Sequence, residues 1–248
     1  MPAPCDASGC PDSLHRRTFL NGSLAAAAVT LLGAASFAEV AGAATFTQAQ
    51  RDKMSPDEVF ALMKRGNKRF SSGQRKEYNY LAQQRSSAAG QYPVAVLLSC
   101  IDSRAPAETI MDLRIGDIFN TRTAGNISNP DVLGGMEFAC KLSGAKVILV
   151  MGHTACGAVK GAIDNAELGN LTGLLAKIKP AVAATTYSGD RSSKNQAFVD
   201  AVARKNVELM LAVIRKESPV LAAMESSGAI KIAGAMYSLE TGLMDFFA

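Results

Sequence analysis

Residues 93–99 (PVAVLLS) and 146–152 (KVILVMG) are short apolar runs with scarcely a polar break. Such continuity predicts strands covered on both faces, because a half-exposed strand would alternate apolar and polar positions. A shorter strand is expected at about 117–122 (DIFNTR), and the chain closes on IKIAGAMYSLETGLMDFF, two short strands about a turn at 240–242. Helical spacing fills the intervals. SPDEVFALMKRGNKRFSSG predicts a helix over 55–72, with Ser55 as N-cap, Pro56 at the first helical position and Glu58 completing a capping box. Val59, Phe60, Met63 and Phe70 then share one face. The polar stretch KEYNYLAQQRSSAAGQ reads as a linker or a second short helix. Further helices are expected over 106–113, 131–143, from about 154, over 170–183 and over 194–217. Strands alternating with helices imply an α/β fold, a mostly parallel central sheet flanked by helices. A helical arm at 44–92 precedes this single α/β core at 93–248.

The first 43 residues do not follow that pattern. Arg16 and Arg17 precede an Ala/Leu/Val segment, and Ala41-Gly42-Ala43 offers a small-x-small cleavage site. The apolar run over 24–38 is shorter than the roughly 20 residues a bilayer span needs, so no stable membrane span is expected. With Arg16-Arg17-x-Phe19-Leu20 the stretch resembles a twin-arginine export signal, implying a periplasmic or otherwise exported protein whose mature chain starts near Ala44. Removal of the signal changes the inventory of reactive groups. Cys5, Cys10 and His15 leave, and Cys100, Cys140, Cys156 and a single histidine, His153, remain. An odd cysteine count in an oxidising compartment argues against a disulfide framework.

Composition narrows the function classes. The net charge of +4 carries no Lys/Arg run longer than two, so nothing marks a nucleic-acid groove. Tryptophan is absent and aromatics make up 6%, which argues against a stacking platform for bases or sugars.

Two predicted strands end in residues built for chemistry. The first runs into SCIDSR, with Cys100, Asp102 and Arg104 at alternate positions, and the second into MGHTACG, with His153 and Cys156. Carboxyl ends of parallel strands form the binding crevice of an α/β sheet, so Cys100, His153 and Cys156 converge if the strands are neighbours. Two thiolates and one imidazole suit zinc. The H-x-x-C spacing places both side chains on one side of a helix's first turn, where the helix N-terminus favours a thiolate. Three protein ligands leave a fourth position, which catalytic zinc sites keep for water. Asp102 is the remaining candidate for it, and Arg104 is placed to hold that carboxylate in a bidentate pair. Asp102 thus either closes the metal site or lies on Arg104 and leaves room for water. Cys140, within GGMEFACKLSG, sits on an apolar helix face and reads as a buried, inert thiol.

CIDSR and HTACG resemble the zinc motifs of the β-class carbonic anhydrases. RGNKRFSSG, GQYP, RTAGN and GAMYSLETGLMDF are similar to further segments of that family, so the resemblance covers roughly 54–247. It implies one Zn²⁺ per chain on Cys100, His153 and Cys156, with Asp102 as alternative fourth ligand and Arg104 as its dyad partner. It implies Gln91 as hydrogen-bond donor to the substrate and Phe119 as an apolar wall of the CO2 pocket. Thr123 departs from the family's more frequent Asn, and the absence of Trp removes a residue that some bacterial members use in a secondary bicarbonate pocket. The implied activity is reversible hydration of CO2 to bicarbonate and a proton by zinc-bound hydroxide, a zinc lyase reaction. The family also implies a homodimer or larger homo-oligomer with active sites at the interface. Three alternatives stay open at this level. The same site could hydrolyse COS or CS2, Asp102 could close it permanently as a structural zinc site, or Cys100 and Cys156 could form a metal-free redox pair.

Overall fold

Buried apolar runs build the centre of the sheet. In the computed structural model, which describes residues 45–247, five strands pair among the described residues: β1 (Ala95–Ser99), β2 (Ile118–Arg122), β3 (Val147–His153), β4 (Lys231–Tyr237) and β5 (Met244–Phe247). Their order is β2-β1-β3-β4-β5. All pairs are parallel except β4–β5, which is antiparallel. The proposed signal over 1–43, with Cys5, Cys10, His15 and the Arg16–Arg17 pair, lies outside the described residues. From β1 the chain first adds β2 on one side and then β3 on the other. The order therefore reverses at β1, and the crevice between β1 and β3 is the switch point where α/β sheets bind ligands.

The helices are α1 (Gln48–Lys53), α2 (Pro56–Ser71), α3 (Tyr80–Ser87), α4 (Ala107–Ile110), α5 (Pro130–Glu137), α6 (Gly157–Ile163), α7 (Gly169–Ala176), α8 (Lys179–Ala184), α9 (Gln196–Glu217) and α10 (Pro219–Ser226). They cover both faces of the sheet, and the period of two along each strand divides the core between them. Val96, Leu98, Ile148, Val150 and Ile232 pack with Phe198, Val202 and Val207 of α9. Ala95, Leu97, Val147, Leu149 and Met151 pack with Val59, Phe60 and Met63 of α2. Full burial of such side chains contributes about 1.5–3 kcal/mol each, so α2 and α9 hold the two faces. Asn67 on α2 adds a polar clamp. Its Nδ2 donates to the carbonyls of Ile110 (3.0 Å) and Gly242 (2.9 Å), and its Oδ1 accepts from Met244 N (2.8 Å).

Several helices differ from the sequence expectation for local reasons. The capping box of α2 is present as expected, and the polar stretch before β1 contains a short helix, α3, capped by Asn79. The helix expected over 106–113 is only α4, because Asp112 takes a left-handed conformation (φ 48°) with its buried carboxylate bound to Arg69 Nε at 2.6 Å. The helix expected over 131–143 changes after Glu137 into a π turn over Phe138–Leu142. The helix over 170–183 breaks into α7 and α8, with Pro180 in the first turn of α8. Proline has no N–H for the preceding turn and disfavours a helical residue before it.

Candidate metal centre

Strand phase brings the candidate ligands to the β1–β3 crevice from opposite faces. Ser99 pairs with Met151, so Cys100 emerges from β1 beside the last residues of β3. Cys100 continues the series Val96, Leu98 toward the α9 face, whereas His153 continues Val147, Leu149, Met151 toward the α2 face. They meet where the sheet ends. Gly152 permits the approach of α9 there, since a Cβ on it would lie 2.7 Å from Val207 Cγ2 and 2.8 Å from Met236 Sδ.

One expectation about this segment is corrected. His153 and Cys156 do not share a helical turn. His153 is the last residue of β3, paired with Tyr237, and Cys156 is the N-cap of α6. Between them Ala155 adopts a left-handed conformation (φ 55°), which a non-glycine residue keeps only under constraint. The constraints are visible. Ala155 N donates to Asp200 Oδ1 on α9 (2.9 Å), and Thr154 N donates to Tyr237 O (2.9 Å). Thr154 Oγ1 accepts from Leu239 N at 3.0 Å. A turn, rather than a helix, aims both side chains inward.

The ligand atoms of Cys100, His153 and Cys156 all lie within 4.8 Å of one another, and all three residues are buried. His153 Nδ1 lies 2.9 Å from Thr154 O, an acceptor only, so Nδ1 carries the proton and Nε2 presents a lone pair. Nε2 is buried and has no hydrogen-bond partner. A buried nitrogen left unpaired costs free energy unless something else occupies its lone pair. Soft sulphur and imidazole donors at this separation fit zinc. A hydrogen bond from Cys156 holds Cys100 well below the usual thiol range despite burial, and the His153 side chain and the Gly125 N–H add to it. The same bond to Cys100, with burial, pushes Cys156 up, while the N–H groups of Val159 and Ala158 at the start of α6 oppose that rise. Burial pulls His153 down, but the Cys100 thiolate, the Thr154 carbonyl and Asp102 together carry it upward.

Asp102 lies on Arg104 in this structure. Its Oδ1 accepts from Arg104 N (2.9 Å) and Nε (3.0 Å), and its Oδ2 accepts from the far guanidinium nitrogen at 2.7 Å. The Arg104 side chain keeps the Asp102 carboxyl far below the usual carboxylate range, outweighing desolvation. Oδ2 is nevertheless only 3.8 Å from His153 Nε2, so the carboxylate borders the trio without belonging to it.

The other two predicted site residues do not meet the trio within one chain. Gln91 is exposed and precedes β1, at the end of the strand opposite Cys100. Phe119 pairs with Val96, four residues and about 13 Å along the strand from Cys100 at roughly 3.3 Å per residue. It lines a cavity of about 370 Å³ with Val96, Asn129, Val132 and Phe138, and its ring meets that of Phe138 at 6.0 Å and 71°.

Supporting residues outside the two ligand motifs emerge only here. Arg122, the last residue of β2, donates through Nε to Cys100 O (2.8 Å) and through a terminal nitrogen to Asp102 O (2.5 Å). Gly125 N donates to Cys100 Sγ at 3.3 Å. Both lie within or beside RTAGN, so that segment was the available signal. Asp200 had none, because a carboxylate in the first turns of a long helix is ordinarily a solvated one.

Comparison with known proteins agrees with this fold and names its family. A family model described as carbonic anhydrase matches residues 95–244. Carbonic anhydrase 2 of Mycobacterium tuberculosis is 33% identical over 190 residues, covering 76% of this chain and 91% of its own. A β-carbonic anhydrase of the fungal pathogen Aspergillus fumigatus superposes with a TM-score of 0.58 at 26% identity, covering 77% of this chain and 89% of that one. A tetrameric β-carbonic anhydrase of Sordaria macrospora gives a TM-score of 0.57 at 25% identity over 64% of this chain and 82% of its own.

Proposed function

The chain belongs to the carbonic anhydrase family, as a carbonic anhydrase of the β class, and from that premise we propose that it hydrates CO2 reversibly with one zinc ion held by Cys100, His153 and Cys156. The observation that carries this reading is the convergence of two sulphurs and the unpartnered, buried His153 Nε2 within 4.8 Å. Zinc in such a site supplies Lewis acidity that makes water nucleophilic toward CO2 near neutral pH.

The chain's own residues do the rest. Thr154 fixes the His153 tautomer, and the N-terminus of α6 favours the Cys156 thiolate. Asp102 acts as the gate. Turned toward the trio it could join Cys100, His153 and Cys156 in holding the metal, and held by Arg104 it would be free to accept a hydrogen bond from the attacking water. Arg104 keeps this carboxylate ionised, so Asp102 orients a proton rather than storing one. His153 is committed through both ring nitrogens and is the sole histidine of the proposed mature chain, so no histidine carries the proton out, and external buffer or a Tyr or carboxylate relay does so instead. Gln91 and Phe119 act from a second copy in a homodimer or larger homo-oligomer. Their separation from the trio within one chain supports this, as does the half-exposed Phe138 ring beside Phe119. Residues 1–43 act as a twin-arginine export signal that delivers the enzyme to the periplasm. No helix of the described residues is long and apolar enough to cross a membrane.

Stopped-flow CO2 hydration by purified protein, with zinc quantified on the same sample, tests the catalytic reading. About one zinc per chain with fast hydration that speeds up as buffer is added is the expected result. Zinc without hydration up to about pH 9 would overturn it in favour of a locked site or another substrate, with COS the next to try.

A further inference from the structure

We propose that Asn206 of α9 is a positioning residue for the metal centre, fixing the Gly125 backbone so that its N–H donates to the Cys100 sulphur. This role rests on the zinc reading of Cys100, His153 and Cys156. Gly125 stands in the left-handed region (φ 68°, ψ 21°), and a Cβ there would lie 2.5 Å from Ile178 Cδ1. Only glycine fits, and glycine is also the residue whose peptide planes turn most freely. The N–H that meets Cys100 Sγ at 3.3 Å therefore needs to be held.

Thr123 N donates to Ser99 O of β1 (3.0 Å), which ties the start of this loop to the sheet. Asn126 N donates to Thr123 O (2.8 Å) and Thr123 Oγ1 donates to Ile127 O (2.6 Å), both within the loop itself. Asn206 Nδ2 donates to Gly125 O at 2.7 Å from α9, and of these bonds it is the one that holds the Gly125 carbonyl itself. Its helix is rigidly seated, with Val202 and Val207 fully buried on either side of Asn206 in the chain. Asn206 is itself 1% exposed, and its Oδ1 has no partner. An apolar side chain of the same size would fill that space without an unsatisfied oxygen. The amide is kept at a cost, and what it touches is the backbone that touches Cys100.

An N–H directed at a thiolate withdraws charge from the sulphur and fixes its rotamer, which sets how it binds a metal. Without Asn206, the Gly125 peptide turns away and Cys100 loses that donor. Asn206→Asp keeps the shape and removes the donor, and Asn206→Leu fills the volume without a buried charge should the carboxylate block folding. The experiment measures zinc affinity by chelator competition on the full-length protein, and the sulphur-to-metal charge-transfer absorption after cobalt substitution. Thermal melting of the same samples reports packing. The expected result is a loss of about ten- to hundredfold in zinc affinity, with a displaced charge-transfer band in folded protein. Folded variants that melt earlier yet keep the wild-type affinity and band would overturn the proposal and leave Asn206 a packing residue. Wild-type protein that takes up no zinc would overturn the reading of the site itself, and this role with it.

Discussion

Cys100 and Cys156 on one side, and Cys140 on the other, are equally hidden, with 4%, 2% and 2% of their surfaces exposed. Cys100 and Cys140 are nevertheless shifted in opposite directions, while Cys156 is pushed up by its bond to Cys100 and by burial. Around Cys140 there is nothing but apolar packing, and burial alone pushes its thiol up to about 12. Around Cys100 a second thiol, an imidazole and a backbone N–H converge, and the thiol is held low despite desolvation. Burial by itself makes a cysteine inert. What converts a buried cysteine into a metal ligand is the number of polar groups that accompany it into the interior.

The comparison can be broken most severely by removing one member of the trio. Cys100→Ala, His153→Ala or Cys156→Ala should abolish stoichiometric zinc and reduce hydration to background, exceeding the roughly 10–100-fold typical of outer-sphere changes. Metal analysis beside stopped-flow rates checks this, and a variant that keeps both zinc and activity would remove that residue from the ligand set. Next in size is Asp102→Asn, which keeps the shape but loses the charge that Arg104 grips. It should retain zinc and lower kcat/KM by about 10–100-fold, whereas unchanged kinetics would end the gating role. A smaller effect concerns pH. Two thiolates offset the metal's +2 charge and leave it less electrophilic than three neutral imidazoles would. The rate should therefore rise several-fold between about pH 6 and 9, as read from a buffered pH series; a flat profile contradicts it.

Cys140→Ala should do least. Zinc content and kcat should stay at wild type, with stability lowered by about 1 kcal/mol. A second signature is alkaline. The folded pKa of Cys140 lies above the ordinary thiol value of 9.0, so the stability it contributes is complete below that value and declines as pH climbs toward about 12. Alkaline melting curves of Cys140→Ala should lose that decline, and identical slopes in both proteins would show that Cys140 does not titrate with unfolding.

The ligand motifs were legible because strand ends are legible. PVAVLLS and KVILVMG could only be covered strands, and polar residues at the carboxyl ends of covered strands have few bland uses. The capping box of Ser55 and Glu58 was equally plain, since a cap is written within four residues. Interruptions in the helices were less so. Asp112 breaks its helix through a partner 43 positions away, Arg69, and no local pattern announces that pairing. The turn at Ala155 was misread as helix for the same reason, because its left-handed backbone is held by Asp200 on α9 and by the end of β4.

Sequence alone thus determined the strands, most of the helices, the two motifs and the donor chemistry, all properties of side chains and of short-range periodicity. The tertiary structure decided the rest. It made β1 and β3 neighbours, brought His153 and Cys100 together from opposite faces, laid Asp102 on Arg104 and set Gln91 and Phe119 apart from the trio. It also recruited Arg122, Gly125, Asp200 and Asn206 as supports. Apart from the local Asp102–Arg104 pair, most of those relations join residues many positions apart, and their geometry is fixed by sheet order and helix packing, which no local spacing encodes.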